Sequence, residues 1–219
     1  MSLRTEIRQR LLTASMALAL FVMGLDAGVV NVILPELQSV FETTVSRAMM
    51  LATVYMTVMA AFQLTFGRLA DLIDPVAVFL GGVACFFLGS LGCVVSESIT
   101  HLLIGRGIQG LGGAMLGASF GAIVLRMMPR EKTGGIIGLM TMVMSLGSIV
   151  GPPLGGFLAQ HLSWHWVFAI NLPICLLAAL PLVLILRTKG GKGDRPAVSF
   201  RSLNPIGAVL SMVCSPLCR

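Results

Sequence analysis

The chain has 219 residues, of which 56% are hydrophobic and 11% charged, and its mean hydropathy is +0.94. Soluble domains carry about 25% charged residues, so this composition excludes an ordinary water-soluble protein and indicates an integral membrane protein. Its net charge of +6 is explained by basic cytoplasmic loops, and we expect no nucleic-acid partner.

Six apolar stretches are long enough to cross a bilayer, which takes about 20 mostly apolar residues per helix. They are separated by short connections, and they predict an all-α membrane protein whose six transmembrane helices form one bundle. In chain order, the predicted spans are Leu12–Leu34, Ala48–Phe66, Val76–Val95, Leu102–Leu125, Gly134–Leu158 and Trp166–Leu186. The first span resembles a signal peptide but has no small-residue cleavage site, so it is predicted to stay in the protein.

The basic residues predict how the bundle is oriented. With the amino terminus in the cytoplasm, the external loops hold only Arg47, as the positive-inside rule requires. The predicted cytoplasmic basic residues are Arg4, Arg8, Arg10, Arg68, Arg126, Arg130, Lys132, Arg187, Lys189, Lys192, Arg195 and Arg201. We therefore expect a multi-pass protein of the cell (inner) membrane with a cytoplasmic amino terminus. Trp164 and Trp166 then fall at the outer interface, which amphipathic rings prefer.

The sequence predicts three segments. Residues 1–187 form the six-helix transmembrane bundle, and residues 188–204, rich in glycine and basic residues, form a cytoplasmic linker. A new apolar stretch over residues 205–219 is predicted to begin a seventh transmembrane helix, which is incomplete because it is about ten residues short of a span.

Two charged residues lie inside predicted spans. Asp26 is about 14 residues from the inner end of the first span, or roughly 21 Å along a helix. Arg106 is on the fourth span, which runs in the opposite direction, and lies roughly 6–8 Å below the outer surface. The two charges are therefore predicted at a similar depth. Ionisable residues inside a membrane usually face the bundle interior and pair with each other. The pair either fixes helix packing or handles protons or substrate.

Small residues recur every four positions on two spans, a spacing that lets helix backbones approach closely. The fourth span carries Gly105, Gln109, Gly113, Gly117 and Gly121, and the fifth carries Gly147, Gly151 and Gly155. Pro152 and Pro153 favour a bend in the fifth helix, because proline cannot donate the helical hydrogen bond.

Four strings in these spans resemble motifs of the major facilitator superfamily, and of its fourteen-helix drug:proton antiporters in particular. The fifth span matches the antiporter motif at Gly138, Gly147, Gly151, Pro152, Gly155 and Gly156. The fourth, LLIGRGIQGLGGA, matches the arginine motif at Arg106, Gln109 and Gly110. The first, LDAGVVNVILP, matches at Leu25, Asp26, Asn31 and Pro35 but has Gly28 where that branch usually has threonine. The stretch WHWVFAINLPI, residues 164–174, is also similar to that branch.

The loop between the second and third spans resembles the superfamily's cytoplasmic latch, a loop that holds the cytoplasmic side together through charge pairs. Gly67, Leu69 and Asp71 match its motif, and Asp71 is expected to pair with Arg126. The motif's second glycine and its basic residues are replaced, and the replacing stretch contains Leu72, Asp74, Pro75 and Val76.

The resemblance implies a fold and an activity. The fold would be two inverted repeats of three helices, the amino-terminal half of a major facilitator. The activity would be proton-coupled efflux of amphipathic drugs across a lipid bilayer. Asp26 would handle the proton or a cation and Arg106 would tune it, with Asn31 and Gln109 in the same proton-coupling or substrate site. The motif glycines and Pro152 would limit proton leak.

Two alternatives remain open from the sequence. The chain is expected to be either the truncated amino-terminal half of a transporter, which needs a second six-helix half, or an autonomous six-span protein that dimerises or does not transport. The sequence has no phosphate-binding loop, catalytic triad or metal-ligand constellation. It therefore predicts no enzyme, no cofactor and no metal, and the resemblance implies a small-molecule substrate and protons as partners.

Overall fold

Seven helices make up the part of the chain that the structure, a computed structural model, describes: the backbone of residues 3–188 and the side chains of residues 6–186. They are α1 Leu3–Val40, α2 Val45–Leu72, α3 Pro75–Val94, α4 Ile99–Met127, α5 Arg130–His161, α6 His165–Ala169 and α7 Asn171–Thr188. Six segments are long and apolar enough to cross a membrane, α6 and α7 together being the sixth. The predicted linker, apart from Thr188, and the predicted seventh span lie outside the described residues.

Short polar residues begin three of the helices. Thr44, Asp74 and Ser98 precede α2, α3 and α4, and each side-chain oxygen accepts a hydrogen bond from a backbone N–H of the first turn. Such caps satisfy N–H groups that have no helical partner. Asp74 is followed by Pro75 at the first helical position, which proline favours. Asp74 and Pro75, two of the residues in the stretch that replaces part of the latch motif, therefore begin α3.

Two prolines affect the helices differently from what their positions predict. The first span is predicted to end before Pro35, but α1 continues through it to Val40. The sixth span is predicted as one helix, but it is interrupted at Ile170 between α6 and α7. Pro173 gives the reason, because it has no N–H to donate to the carbonyl of Ala169 and its ring crowds that carbonyl. In contrast, α5 runs unbroken through Pro152 and Pro153.

The helices pack as two related sets of three. The most extensive packing is α1 on α5, α3 on α4 and α2 on α4, followed by α1 on α7. The two sets correspond as α1 to α4, α2 to α5, and α3 to the α6/α7 segment. Under this correspondence the packing of α1 on α5 is equivalent to that of α4 on α2, and the packing of α3 on α4 is equivalent to that of α7 on α1. The packing pattern is thus preserved. Repeats of three spans run in opposite directions through a membrane, so this is an inverted three-plus-three bundle.

Glycines bring α1 and α5 into backbone contact. A Cβ added at Gly151 would lie 2.7 Å from the carbonyl oxygen of Leu25, and one at Gly28 would lie 2.6 Å from that of Ser148. A Cβ added at Gly24 or Gly147 would be closer still to a backbone carbonyl oxygen of the facing helix, that of Met144 or Phe21. Gly28, the departure from the expected threonine, therefore has a physical reason, because a larger residue would push α5 away.

Only some of the glycines that recur every four residues on α4 make close contacts with other helices. A Cβ at Gly105 would lie 3.1 Å from the backbone of α3, and one at Gly113 would lie 3.0 Å from the Tyr55 hydroxyl on α2. Gly121 has open space instead. Gly112, which is not one of these glycines, is closer to α3 than Gly105 is, because a Cβ there would lie 2.6 Å from the backbone nitrogen of Phe86. The four-residue period thus identifies close packing at one end of the helix only.

The two tryptophans have different environments, although both are predicted at the outer interface. Trp166 is 54% exposed, but Trp164 is 3% exposed. Trp164 stacks on His165 at 3.7 Å between ring centroids and packs edge-on against Phe41 at 5.5 Å. Trp164 therefore closes one end of the bundle instead of facing its surroundings.

Candidate functional site

The structure brings Asp26 and Arg106 into direct contact. Nη1 of Arg106 on α4 lies 2.5 Å from Oδ2 of Asp26 on α1, and both side chains are almost fully buried. Asp26 is the one acidic residue with a buried side chain among the described residues, and Arg106 is the one buried cation. A charge removed from water in this way is tolerated when it is paired and hydrogen-bonded.

Gln109, one turn beyond Arg106, joins the ion pair to α3. Its Oε1 accepts from Nη1 of Arg106 at 2.8 Å. Its Nε2 donates to Oγ of Ser90 at 2.8 Å and approaches Oδ1 of Asp26 at 3.4 Å. The Cys93 thiol is 3.8 Å from the same Oε1. Both ends of the Gln109 amide are therefore occupied, which fixes its orientation.

The guanidinium of Arg106 is also held on its α2 side. Its Nε donates to the backbone carbonyl of Leu51 at 3.3 Å. Its central carbon lies 4.4 Å from the centre of the Tyr55 ring, a cation–π arrangement. Arg106 thus has three uncharged contacts, with Leu51, Tyr55 and Gln109, in addition to Asp26.

Asn171 completes the cluster from the sixth segment. It is the first residue of α7, it is fully buried, and its Nδ2 donates to Oδ1 of Asp26 at 3.2 Å. The sequence identified the string that contains Asn171 but assigned this residue no role. The available signal is an amide within an apolar segment, directly before the Leu-Pro pair at the helix break. Ser90, which lies in none of the identified motifs, was also assigned no role. Its own hydroxyl donates to the carbonyl of Phe86 at 2.8 Å.

One residue predicted for this site lies apart from it. Asn31 is exposed, and its Nδ2 donates to the backbone carbonyl of Ala27 at 3.4 Å. Asn31 is five residues from Asp26, so on a helix of 3.6 residues per turn its side chain leaves the face that carries Asp26. The structure therefore groups Asp26, Arg106 and Gln109 but not Asn31.

The predicted antiporter-motif residues divide into two groups. Gly147, Gly151 and Gly155 are buried against α1, and Pro152 is within contact distance of a Cβ placed at Gly28. Gly138 and Gly156 differ. Gly138 is exposed, with open space where a Cβ would be, and a Cβ at Gly156 would make an ordinary contact with Val32.

The predicted latch residues lie apart from this cluster, toward the carboxyl-terminal ends of α2 and α4. Nη2 of Arg126 is 3.3 Å from Oδ1 of Asp71 and 2.9 Å from its backbone carbonyl oxygen. Both side chains are substantially exposed, so the pair is weak. Gly67 has open space around its Cβ position.

The cluster of Asp26, Arg106, Gln109, Ser90 and Asn171, named here the polar centre, combines side chains from α1, α3, α4 and α7. It contains one carboxylate that can take up a proton and one cation that stays charged. Within residues 6–186 no group of three or more histidine, cysteine or acidic side chains is arranged to hold a metal ion. The polar centre is therefore a buried ion pair, Asp26 with Arg106, surrounded by uncharged side chains that hydrogen-bond to it or to each other.

Comparison with known proteins shows what the chain is similar to. A family model of the Major Facilitator Superfamily matches residues 16–216. The "Putative multidrug resistance protein MdtD" of Escherichia coli O9:H4 (strain HS) is 34% identical over 171 residues, which are 78% of this chain and 36% of that protein. The protein of the same name from Shigella sonnei (strain Ss046) gives the same values. The chain thus spans about a third of the length of these curated relatives.

A solved structure shares the fold. The crystal structure of a peptide transporter, POT, in complex with alafosfalin superimposes with a TM-score of 0.72 and 16% sequence identity. The match covers 94% of this chain and 45% of the transporter. At this identity the likeness shows the fold alone, and the half coverage agrees with a bundle equivalent to half of such a transporter. With the family match over most of its length, the chain is a multi-pass membrane protein that belongs to the Major Facilitator Superfamily.

Proposed function

We propose that the chain is the amino-terminal half of a proton-coupled transporter that exports amphipathic small molecules, including drugs. The superfamily match supports transport, and the name of the Escherichia coli relative supports multidrug export. The motifs shared with drug:proton antiporters support proton coupling. In this proposal the amino terminus lies in the cytoplasm and the bundle lies in the cell membrane, as the distribution of basic residues predicts.

The observation that carries the proposal is the buried ion pair of Asp26 and Arg106. When a proton binds the Asp26 carboxylate, that side chain becomes neutral and its attraction to Arg106 is lost. Removing one charge of a buried pair typically costs 3–5 kcal/mol, because the other charge is left buried without compensation. That free energy is large enough to favour a rearranged bundle, so protonation and conformation are linked.

The contacts of Arg106 suggest which side chain moves. Gln109, Leu51 and Tyr55 keep contact with the guanidinium when Asp26 is neutral. The Arg106 side chain therefore keeps its position between α2 and α4, and protonated Asp26 is free to separate from it with α1. The close glycine contacts make α1 and α5 move as a unit, and we assign that function to Gly147, Gly151, Gly155 and Pro152.

A second six-helix half is the proposed partner, since transporters of this type hold substrate between two halves and rock one against the other. The faces of α2 and α5 support this. Only 11% of the apolar window of α2 and 17% of that of α5 are buried within the bundle. Both helices present large exposed apolar residues, among them Met56, Leu64, Met142 and Ile149. The latch pair of Asp71 and Arg126 would restrain one end of such a rocking movement.

Vesicles with an imposed pH gradient test the proposal. The 219-residue chain, and the same chain joined to the second half of the Escherichia coli relative (the joined protein), are reconstituted separately. Uptake of a fluorescent amphipathic cation is then measured. We expect the joined protein to exceed empty vesicles several-fold. If both proteins equal empty vesicles, proton-coupled export is contradicted; if the 219-residue chain transports as well as the joined protein, a second half is not required.

A further inference from the structure

Only one of the two polar atoms of the Asn171 amide makes a hydrogen bond. Its Nδ2 donates to Asp26, whereas its Oδ1 is buried and has no hydrogen-bond partner among the described residues. Buried side-chain oxygens in folded proteins are normally hydrogen-bonded, so an open one needs an explanation. A carboxylate such as Asp26 only accepts hydrogen bonds, and it therefore can use the Nδ2 end but not the Oδ1 end.

Gln109 provides the comparison within the same cluster. It carries the same amide group and also faces Asp26, but its Oε1 accepts from Arg106 and its Nε2 donates to Ser90. Rotating the Gln109 amide would break both hydrogen bonds and turn a donor toward Arg106. Rotating the Asn171 amide would break only its hydrogen bond to Asp26. Asn171 is therefore free to respond to Asp26, and Gln109 is not.

Other groups that face Asp26 do not offer the same acceptor. Arg106 on α4 is a donor. Tyr55 on α2 presents its ring to Arg106, and its hydroxyl, which is also buried without a partner among the described residues, lies next to Gly113 of α4. The Cys93 thiol on α3 lies against the carbonyl oxygen of Leu102 and Oε1 of Gln109, and Cys175 is buried one turn beyond Asn171 on α7. On α5, Ser148 donates to the carbonyl of Gly24, and on α6 His165 stacks on Trp164.

We propose that Asn171 is a positioning residue that bonds Asp26 in both of its protonation states. It donates through Nδ2 to the carboxylate and, after its amide turns about the Cβ–Cγ bond, accepts through Oδ1 from the protonated acid. The added proton resides on a carboxyl oxygen of Asp26, and no covalent bond of Asn171 changes. The exchange keeps a buried O–H group from being left without an acceptor, which would be costly. This inference rests on the proposed function, in which Asp26 takes up a proton.

The position of Asn171 gives the exchange a structural consequence. Asn171 begins α7 directly after the interruption at Ile170. A proton on Asp26 of α1 is therefore sensed by the residue that starts the second part of the sixth segment. The hydrogen bond keeps α1 and α7 connected at the moment when Asp26 loses Arg106.

Nuclear magnetic resonance with two selective labels tests the inference on the 219-residue chain in lipid nanodiscs. The chain has three asparagines, Asn31, Asn171 and Asn204, and four aspartates, Asp26, Asp71, Asp74 and Asp194, so few signals have to be resolved. Nitrogen-15 in the asparagine side chains reports the amide, and carbon-13 in the aspartate carboxyls reports protonation. The variants Asn171→Ser and Asp26→Asn assign the two signals.

We expect the Asn171 amide signal to shift over the same pH range in which the Asp26 carboxyl becomes protonated. The shift should be absent in Asp26→Asn, and the Asn31 amide, which bonds Ala27, should stay unchanged. If the Asp26 carboxyl becomes protonated while the Asn171 amide signal stays constant, the inference is wrong and the proposed function stands. If Asp26 keeps its charge at every pH at which the chain is folded, the proposed function and the inference are both wrong.

Discussion

Replacing Gly151 by alanine tests the close contact of α1 and α5. The added Cβ would lie 2.7 Å from the carbonyl oxygen of Leu25 and 3.1 Å from the backbone nitrogen of Val29. The shorter distance is about 0.8–1.3 Å below the optimal ~3.5–4.0 Å separation of non-bonded atoms. Both neighbours are backbone atoms, which cannot rotate away, so α1 and α5 have to separate.

Gly138 on the same helix is the matched control, because a Cβ there meets nothing within 4 Å. Gly138→Ala gains only helix propensity, up to about 1 kcal/mol. Gly151→Ala gains the same propensity but adds overpacking, which typically costs about 1–3 kcal/mol. The difference between the two variants is therefore the overpacking cost itself.

The assay is equilibrium unfolding of the purified chain in mixed micelles, followed by loss of helical circular dichroism as the fraction of denaturing detergent rises. We expect Gly151→Ala to unfold at a lower fraction than wild type, and Gly138→Ala at the same fraction or a higher one. Equal midpoints for the two alanine variants would refute the contact between α1 and α5.

Two further predictions use the same unfolding assay and concern the ion pairs. Asp26→Leu should lose about 3–5 kcal/mol because it leaves Arg106 buried without a counter-charge, whereas Asp26→Leu combined with Arg106→Met should lose clearly less. A double variant as unstable as the sum of its single variants would contradict this coupling. Asp71→Asn should lose at most about 1 kcal/mol of unfolding free energy, since the pair of Asp71 with Arg126 is exposed. A loss as large as that of Asp26→Leu would show that the latch pair is stronger than its exposure indicates.

The spans and the partners of Asp26 differ in how far the sequence could predict them. All six spans follow from apolar length. Most of the helices run beyond the predicted limits, because a helix does not have to end where its apolar part ends. The meeting of Asp26 with Arg106 was anticipated from their matching depth on opposed helices. Asn31 was placed in the site by its motif, but its angular position on α1 separates it from Asp26.

Asn171 and Trp164 show what the sequence could not give. The contact of Asn171 with Asp26 joins residues 145 positions apart and depends on the interruption of the sixth segment at Ile170. A hydropathy profile cannot detect that interruption, because a single proline does not lower the hydropathy of the segment enough to divide it. Likewise, a tryptophan near a predicted membrane boundary reads as interfacial, and only the position of Phe41 shows that Trp164 is covered.

The replacement Asp26→Asn in the joined protein tests the central claim most directly, because it removes the proton site and leaves a side chain of the same size. Two fluxes of the fluorescent amphipathic cation are compared in vesicles: uptake driven by a pH gradient, and exchange of labelled for unlabelled substrate without a gradient. We predict that the variant loses gradient-driven uptake to the level of empty vesicles and retains exchange. Gradient-driven uptake equal to that of the unsubstituted protein would contradict the assignment of proton coupling to Asp26.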